Sequence, residues 1–198
     1  MFVSLEGVDG SGKSTQARLL SGVLGPKTLL VREPGGTPAA ERIRELLADP
    51  DTTLDPLAEL LLFCAARADL VEQVIRPALE AGRDVVCDRF SDSTVAYQGT
   101  ARGLGAGRAI SLSDAATDGL WPDLTLLLRL DPEIGLGRAG GEDRFEGAGL
   151  EFQRTVAQAY EEIAQIAPER VVAIDATGEV EEVHARVMEV VRSRIGQP

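Results

Sequence analysis

A glycine-rich loop between an apolar run and a helical pattern constrains this chain more than any other feature. Residues 7–15 read GVDGSGKST and follow the apolar run FVSL at 2–5. The spacing glycine-x4-glycine-lysine-serine is that of a phosphate-binding loop, whose backbone N–H groups point at phosphate oxygens at the positive end of a helix. A chance glycine turn is the alternative, and at this chain's residue frequencies it is expected in roughly two chains per thousand.

The side chains of this loop predict how a nucleotide is held. Lys13 supplies a cation for the β- and γ-phosphates of ATP, and the Ser14 hydroxyl is a candidate ligand of Mg²⁺. We predict that the whole segment contacts ATP: Gly7, Val8, Asp9, Gly10, Ser11, Gly12, Lys13, Ser14 and Thr15.

Short apolar runs alternate with helical patterns along the rest of the chain. The runs lack polar alternation, which is typical of parallel strands covered on both faces. Strands are predicted at 2–5, 28–31, 84–87, 124–130 and 171–174. Helices are predicted at 13–24, 38–48, 56–81, 91–98, 111–119, 150–166 and 179–194, with a short one starting at Asp131-Pro132. This order predicts an α/β fold of the P-loop NTPase type, a doubly wound five-stranded parallel sheet flanked by helices.

Some local details of these elements follow from particular residues. We expect Pro77 to break or kink the helix at 56–81, and Ser111 or Ser113 to cap the helix that follows the third strand. The stretch AGGEDRFEGAG at 139–149 is too polar for a core and is predicted to be a short mobile lid.

Length and charge limit the class of protein. The 198 residues fit a single domain spanning 1–198. The net charge of −12 repels polyanions, so nucleic acid is not an expected partner. No run approaches the ~20 apolar residues that span a bilayer, and no basic stretch precedes an apolar one at the N-terminus. We therefore expect a soluble cytoplasmic protein, with Cys64 and Cys87 as small core residues.

Asp88 and Arg89 follow the apolar residues of the third predicted strand. Ligands of open α/β sheets collect at the carboxyl ends of the strands. Asp88 is therefore a candidate for the Mg²⁺ shell and Arg89 for a phosphate. A solvated turn is the alternative, but a phosphate-binding loop in the same sheet favours the ligand site.

Other segments predict a second ligand beside ATP. The chain has no asparagine, so it cannot carry the Asn-Lys-x-Asp guanine reader of switch GTPases. Arg44 lies on the helix after REPGGT at 32–37, and Phe63 and Arg67 are four residues apart on one helix face. An aromatic platform beside a donor suits a planar base, although a Leu-rich helix also allows Phe63 to be a core residue.

Together these segments resemble the bacterial thymidylate kinase family over nearly the whole chain. The matching motifs are the phosphate loop with Asp9, REPGGT at 32–37, LLFCAAR at 61–67, DRFSDSTVAYQG at 88–99, PDLTLLL at 122–128 and DAT at 175–177. The resemblance implies transfer of the γ-phosphoryl group of ATP to dTMP, giving dTDP and ADP for dTTP biosynthesis. It also implies a homodimer and Mg²⁺ with ATP. A kinase for another nucleoside monophosphate, and less so a nucleotide-dependent switch, stay open as alternatives.

The resemblance also implies roles for individual residues. Phe63 should stack on thymine and Arg67 should donate to it, while Tyr97 should pack under the sugar. The implied dTMP-binding residues are Glu33, Arg44, Phe63, Arg67, Arg89, Thr94, Tyr97 and Gln98. Those implied beside the adenine are Asp175, Ala176 and Thr177.

The implied catalytic residues are Lys13, Asp9, Arg89, Arg144 and Arg138. The attacking oxygen already belongs to a phosphate anion, so Asp9 and Asp88 are interpreted as organisers rather than proton acceptors. Because Gly10 leaves the phosphate loop without an arginine, the resemblance implies a transition-state arginine in the lid. Arg144 is the leading candidate and Arg138 the second. An ion pair of Arg144 with Glu142 or Glu146 is the alternative.

Overall fold

A sheet of five parallel strands forms the centre of the computed structural model, which describes residues 1–138 and 149–195. The strands are β1 (Phe2–Glu6), β2 (Leu29–Arg32), β3 (Val85–Asp88), β4 (Leu124–Arg129) and β5 (Val171–Asp175). Their order across the sheet is β2-β3-β1-β4-β5. All five predicted strands are confirmed, and each boundary lies within one residue of the prediction.

Helices flank the sheet between successive strands. They are α1 (Lys13–Leu24), α2 (Pro38–Ala48), α3 (Pro56–Leu70), α4 (Arg76–Glu80), α5 (Ser91–Thr94), α6 (Ala106–Thr117), α7 (Pro132–Arg138), α8 (Leu150–Ile166) and α9 (Val180–Ile195). Two π-helical segments continue them: the first π segment is Val71–Ile75 and the second is Val95–Ala101. Asp55 caps α3 by accepting from the Leu57 N–H at 2.9 Å, with Pro56 in the first helical position.

Pro77 was expected to break or kink the helix at 56–81, and that helix is interrupted by the first π segment directly before Pro77. A proline removes one N–H donor and crowds the carbonyl four residues earlier, here Gln73, so the wide turn lies just upstream. The capping prediction for Ser111 and Ser113 is wrong, because α6 already begins after Gly105 and both serines lie inside it.

Side chains that alternate along the strands pack into two separate hydrophobic clusters. Val3 and Leu5 of β1 pack in a cluster with α1, α8 and α9, whereas Phe2 packs with Val85 and Cys87 in a second cluster. Successive strand residues face opposite sides of a sheet, so both faces of β1 are covered. This explains why the strand sequences are apolar without alternation. Cys64 and Cys87 are both buried, as expected for small core residues.

The register of the sheet brings the two candidate ligand segments together. Leu5 of β1 pairs with Asp88 of β3, so the phosphate loop and the Asp88-Arg89 pair leave the sheet at the same edge. The predicted lid at 139–149 lies outside the described residues except for Gly149. Among the helices of the described part, none is both long and apolar enough to cross a membrane.

Candidate active site

A cleft of about 290 Å³ opens at the carboxyl ends of the strands. It brings together most of the residues predicted for phosphate and acceptor binding. Those on its wall are Asp9, Gly10, Lys13, Ser14, Glu33, Arg44, Phe63, Asp88, Arg89, Thr94, Tyr97 and Gln98. Residues spread along the chain from Asp9 to Gln98 therefore line one cavity, which is large enough for a small ligand.

The phosphate loop leaves the start of α1 open to an anion. Gly12 has a φ of 91°, which places it in the left-handed region that favours glycine. Within the described residues, no side chain caps the N-terminus of α1. The first N–H groups of this 12-residue helix are therefore available to phosphate oxygens, together with the positive end of the helix dipole.

Lys13 lies beneath this loop as a buried cation. Its Nζ donates to the carbonyl oxygen of Val8 at 2.7 Å and to Ser11 Oγ at 3.3 Å. Burial, and then the nearby Arg89 guanidinium, lower the pKa of Lys13 from 10.5 to about 8. The ammonium group is held within the segment where the backbone donors converge, as a phosphate-binding cation requires.

Gly10 is held against α7 by a close backbone contact. A Cβ at Gly10 would lie 2.0 Å from the carbonyl oxygen of Gly135, and a Cβ at Gly135 would lie 2.3 Å from that of Asp9. Neither position has room for a side chain. The lack of an arginine at position 10, noted in the sequence, therefore has a steric cause in the packing of α7 on the loop.

Ser14 and Asp88 form the oxygen pair that fits Mg²⁺. The Ser14 hydroxyl donates to Asp88 Oδ2 at 2.5 Å, across the gap between the first turn of α1 and the end of β3. Hydroxyl and carboxylate oxygens are the ligands that Mg²⁺ prefers, and this ion commonly takes its other ligands from water and substrate phosphates. No cluster of three or more candidate metal-binding side chains occurs in the part of the chain described, so two protein ligands suit this mode of binding.

Arg89 is the centre of a hydrogen-bond network at the cleft. It has a φ of 69°, a strained value for a non-glycine residue and one that recurs at functional sites. Its guanidinium forms an ion pair with Asp9 and lies over the ring of Tyr97, 5.0 Å from the centroid. It also donates to the Gly7 carbonyl oxygen, Ser93 Oγ, Tyr97 Oη and Tyr160 Oη. These contacts fix the orientation of the guanidinium before any ligand binds.

Asp9 is the anionic partner of this network. Its Oδ2 accepts from the Gln153 side chain at 2.6 Å, in addition to the Arg89 ion pair. Burial alone would raise the pKa of Asp9, but the Arg89 guanidinium and the Lys13 ammonium outweigh it and lower that pKa below 3.8. Asp9 is thus a carboxylate held between two cations, which suits an organiser better than a proton acceptor.

Arg67 lies behind the cleft wall rather than on it. Its side chain is 1% exposed, its Nε donates to Glu33 Oε2 at 2.8 Å and its Nη2 donates to Thr94 Oγ1 at 2.9 Å. Glu33 Oε1 is buried without a hydrogen-bond partner among the described residues. Burial raises the pKa of Glu33, while the Arg67 guanidinium opposes the rise. The half-buried Phe63 is on the cleft wall and not in the core.

The residues predicted beside adenine lie away from this cleft. Asp175 ends β5, and Arg186 donates to the carbonyl oxygens of Asp175 and Thr177 at 2.9 and 2.7 Å. Ala176 between them is buried. Thr177 lines a smaller cavity of about 190 Å³ together with Gly7 and Val8 of the phosphate loop.

Of the two arginines proposed for the lid, only Arg138 is among the described residues. Arg138 is exposed at the end of α7, the helix that contacts the phosphate loop. Arg144 lies outside the described residues.

Glu6 and Tyr160 contact Ser93 on the cleft wall, and the sequence reasoning missed both. Glu6 ends β1 directly before the phosphate loop, is fully buried, and accepts from the Phe90 N–H, Ser93 Oγ and Tyr160 Oη. Burial, and then the Asp92 carboxylate, raise the pKa of Glu6 from 4.5 to about 7. For Glu6 the sequence did offer a signal, namely a charged residue at the end of an otherwise apolar strand. Tyr160 gave no local signal, because it lies 154 residues from Glu6 in the chain.

The titration of Glu6 predicts a pH dependence of stability. A carboxyl group whose pKa is raised on folding stabilises the folded chain fully below its unfolded pKa, and this stability is lost as the pH rises through the folded pKa. We expect the free energy of unfolding to fall between about pH 4.5 and pH 8, by an amount on the order of a few kcal/mol. Glu6→Gln removes this contribution, so the wild type should lose stability relative to the variant across that window. Denaturant unfolding at four pH values measures the difference; parallel curves would contradict the raised pKa.

The fold and the cleft define a class of protein. A parallel sheet with a phosphate loop after β1, and with an Asp-Arg pair at the end of the adjacent β3, is the arrangement of a P-loop nucleotide-binding protein. The same cleft is also lined by a second set of groups, which includes Arg44, Phe63 and Gln98. These groups could contact a further ligand beside the nucleotide phosphates.

Comparison with known proteins specifies the family. Residues 5–187 match the family model described as thymidylate kinase. The chain is 50% identical to a thymidylate kinase of Synechococcus sp. (strain JA-2-3B'a(2-13)), over 98% of this chain and 96% of that protein. It is 44% identical to that of Deinococcus radiodurans, over 98% and 97%. A crystal structure of thymidylate kinase from Ehrlichia chaffeensis superposes with a TM-score of 0.82 at 35% identity, covering 97% of this chain and 98% of that one. The chain therefore belongs to the thymidylate kinase family.

Proposed function

We propose that this chain transfers the γ-phosphoryl group of ATP to the 5′-phosphate of dTMP, giving ADP and dTDP, and that the described cleft is where this happens. Membership of the thymidylate kinase family supports the reaction. The observation that carries the assignment of the site is the shared cleft, in which residues of the phosphate loop and Phe63 line one cavity. Phosphoryl transfer needs both substrates held in line, with their negative charge covered.

The phosphate loop and Lys13 hold the donor in this proposal. The ammonium group covers the β- and γ-phosphates, and the open N-terminus of α1 supplies N–H donors. Mg²⁺ would be held by Ser14 and Asp88, and when bound it supplies positive charge to the phosphates. We also propose that the loop at 175–177 lies beside the adenine, where the cavity that Thr177 shares with Gly7 and Val8 supports this placement.

Arg44 and Arg89 hold the acceptor phosphate. Both line the cleft, and Arg44 Nη1 donates to the Pro34 carbonyl oxygen at 3.0 Å, which directs its guanidinium along the wall. Arg89 is kept in place by Asp9 and Tyr97. Because the acceptor phosphate carries its own negative charge, positioning and cationic cover account for the chemistry without a general base.

Phe63, Thr94 and Gln98 surround the thymine base, with Tyr97 beneath the sugar. Phe63 offers a ring face, while Thr94 and Gln98 offer polar groups. Arg67 lies behind Thr94 and is proposed as a donor toward the base; its Nη1 also donates to Ser113 Oγ at 3.3 Å. Glu33 orients Arg67 through their buried ion pair.

The acceptor profile tests the function. ADP release would be followed in a coupled assay with dTMP, dUMP, UMP, dCMP and dGMP. We expect dTMP to be the best acceptor by at least about an order of magnitude in kcat/KM, because several fixed groups contact one base. Preference for another acceptor would assign the chain to a different nucleoside monophosphate. Slow ATP turnover with every acceptor would favour a switch.

Replacing Phe63 with alanine should mainly raise the KM for dTMP, by about tenfold, since stacking of a base on an aromatic ring is worth ~1–3 kcal/mol. The KM for ATP should stay unchanged. Phe63→Leu is the matched control, because it keeps apolar bulk and loses only the ring. Its KM for dTMP should lie between those of the wild type and of Phe63→Ala. An unaltered KM for dTMP in Phe63→Ala would remove the stacking role.

We propose Arg144 as the lid cation that covers the transferred phosphoryl group, with Arg138 as the second candidate. A cation that approaches only in the closed state stabilises the transition state more than the bound substrates. Arg144→Ala should therefore lower kcat by about a hundredfold or more with little change in the affinity for ATP or dTMP. Arg138→Ala is the comparison variant. Wild-type kcat in Arg144→Ala, with a loss in Arg138→Ala, would transfer the role to Arg138.

We also propose a cytoplasmic homodimer that pairs through α3 and α6. Leu57 and Leu61 are one turn apart on α3 and are 37% and 47% exposed, and Ile110 on the adjacent α6 is 45% exposed. Exposed apolar side chains on neighbouring helices favour burial against a second surface. Light scattering should give twice the mass of the chain, and Leu61→Glu should halve it. Two buried free thiols support a reducing compartment.

A further inference from the structure

Glu59 is a buried carboxylate in contact with one of the proposed base-binding residues. It lies in the first turn of α3 and is 1% exposed. Gln98, in the second π segment, donates from Nε2 to Glu59 Oε1 at 2.8 Å. Gln98 lines the cleft and is 2% exposed, so the residue that donates to Glu59 is itself part of the cleft wall.

A carboxylate determines which end of a neighbouring amide faces it. The two ends of a glutamine amide differ, since the NH₂ group only donates and the carbonyl oxygen only accepts. An ionised carboxylate has no proton to donate, so the NH₂ end of Gln98 must face Glu59. Arg102 Nε lies 3.3 Å from the same Glu59 oxygen and supports its negative charge in the buried position. The Gln98 carbonyl oxygen is the end that Glu59 does not hold.

We infer that Glu59 sets the base specificity of this chain by holding Gln98 so that its carbonyl oxygen accepts from the base. The inference rests on the proposed function, because it takes the cleft to be the pyrimidine site. Thymine and uracil carry an N–H at ring position 3, which matches an acceptor. Cytosine carries a lone pair there, so two acceptors would face each other and neither would be satisfied. Glu59 is a positioning residue that acts through Gln98 and excludes cytosine by hydrogen-bond polarity rather than by size.

The other polar groups near the base do not impose this selection at ring position 3. Arg67, the proposed donor toward the base, only donates and therefore matches a carbonyl oxygen of the base rather than its ring N–H. The Thr94 hydroxyl rotates and either donates or accepts. An amide without a fixed neighbour also adapts, because turning it over exchanges the donor for the acceptor. The contact with Glu59 makes that turn unfavourable, since the Gln98 carbonyl oxygen would then face the Glu59 oxygens in a buried position.

Glu59→Gln tests this inference with little change in shape. A glutamine at position 59 both donates and accepts, so Gln98 is free to turn over. The ratio of kcat/KM for dTMP to that for dCMP should fall by about tenfold or more, through a higher KM for dTMP and a gain with dCMP. The matched control is Glu72→Gln, which makes the same change at a carboxylate that is 79% exposed and does not line the cleft. Its ratio should stay within about twofold of the wild type.

A structural role for Glu59 would give a different result. A ratio within twofold of the wild type in Glu59→Gln would overturn the inference, and so would an equal loss with both acceptors accompanied by a lower Tm. If Glu59→Gln does not fold, the exchange variant Glu59→Gln/Gln98→Glu carries the test. It keeps the hydrogen bond with the NH₂ group on residue 59 and an acceptor oxygen on residue 98, so it should prefer dTMP. An exchange variant that favours dCMP would also overturn the inference.

The same assays separate this inference from the proposed function. A wild type that does not phosphorylate dTMP would remove the proposed function. A wild type that phosphorylates dTMP and rejects dCMP, with the same ratio in Glu59→Gln, would remove only the role of Glu59.

Discussion

Replacing Lys13 with alanine is expected to lower kcat by at least about a hundredfold. The ammonium group is buried beneath the phosphate loop, where its charge acts on phosphates with little screening by water. Without it, the γ-phosphoryl group would lose cationic cover as negative charge shifts toward the leaving ADP. Steady-state kinetics with ATP and dTMP measure the effect. A smaller effect on the KM for dTMP is expected, because Lys13 belongs to the donor side of the cleft.

Lys27 is the natural control for this variant. It is the second of the two lysines in the chain and is exposed in the turn before β2, away from the residues that line the cleft. Lys27→Ala should retain wild-type kcat and KM. Thermal unfolding of both variants would show whether Lys13→Ala is folded. A folded Lys13→Ala protein with near wild-type turnover would contradict the assignment of the donor site.

Replacing Arg89 with methionine should lower kcat/KM for dTMP by about a hundredfold or more, since the guanidinium is proposed to hold the acceptor phosphate. The loss also affects Asp9, because the ion pair with Arg89 is broken while the Asp9 carboxylate remains largely buried. Burial should then raise the pKa of Asp9, and a proton taken up there would weaken the network further. Both KM for dTMP and kcat should change.

Arg83→Met provides the comparison for Arg89. Arg83 precedes β3 and donates to the Lys27 carbonyl oxygen at 2.8 Å, at the edge of the sheet opposite to the cleft. Its replacement should leave both kinetic constants at wild-type values. A second measurement, dTMP binding by calorimetry, separates lost affinity from lost turnover. Unchanged dTMP affinity and kcat in Arg89→Met would contradict the proposed acceptor site.

The strands and the phosphate loop were predictable because their signals are local. An apolar run of four to six residues, bounded by turn residues, specifies a buried strand through its own side chains. The glycine spacing of residues 7–15 likewise specifies the backbone conformation that exposes N–H groups. Residue motifs along the chain, above all REPGGT and DRFSDSTVAYQG, were sufficient to indicate the family, which the comparisons confirm.

The orientation of side chains within the cleft was not predictable in this way. Arg67 and Phe63 share one helix face in the sequence pattern, yet Phe63 lines the cleft while Arg67 is buried against Glu33. The helical period predicts the direction in which a side chain leaves its own helix. The groups that the side chain contacts belong to other elements of the fold, so the period does not predict them. The wrong capping prediction at Ser111 and Ser113 has a similar origin, because Gly105 starts α6 earlier without a side-chain cap.

The sequence by itself determined the positions of the strands along the chain, the phosphate loop and the family, since each depends on residues that are neighbours in the chain. Only the tertiary structure decided which charged groups are paired around that loop. Asp9 meets Arg89 across 80 residues, Gln98 meets Glu59 across 39, and Gly10 abuts Gly135. The pKa of a buried group and the direction of an amide depend on such distant partners, because burial removes the water that would otherwise satisfy them.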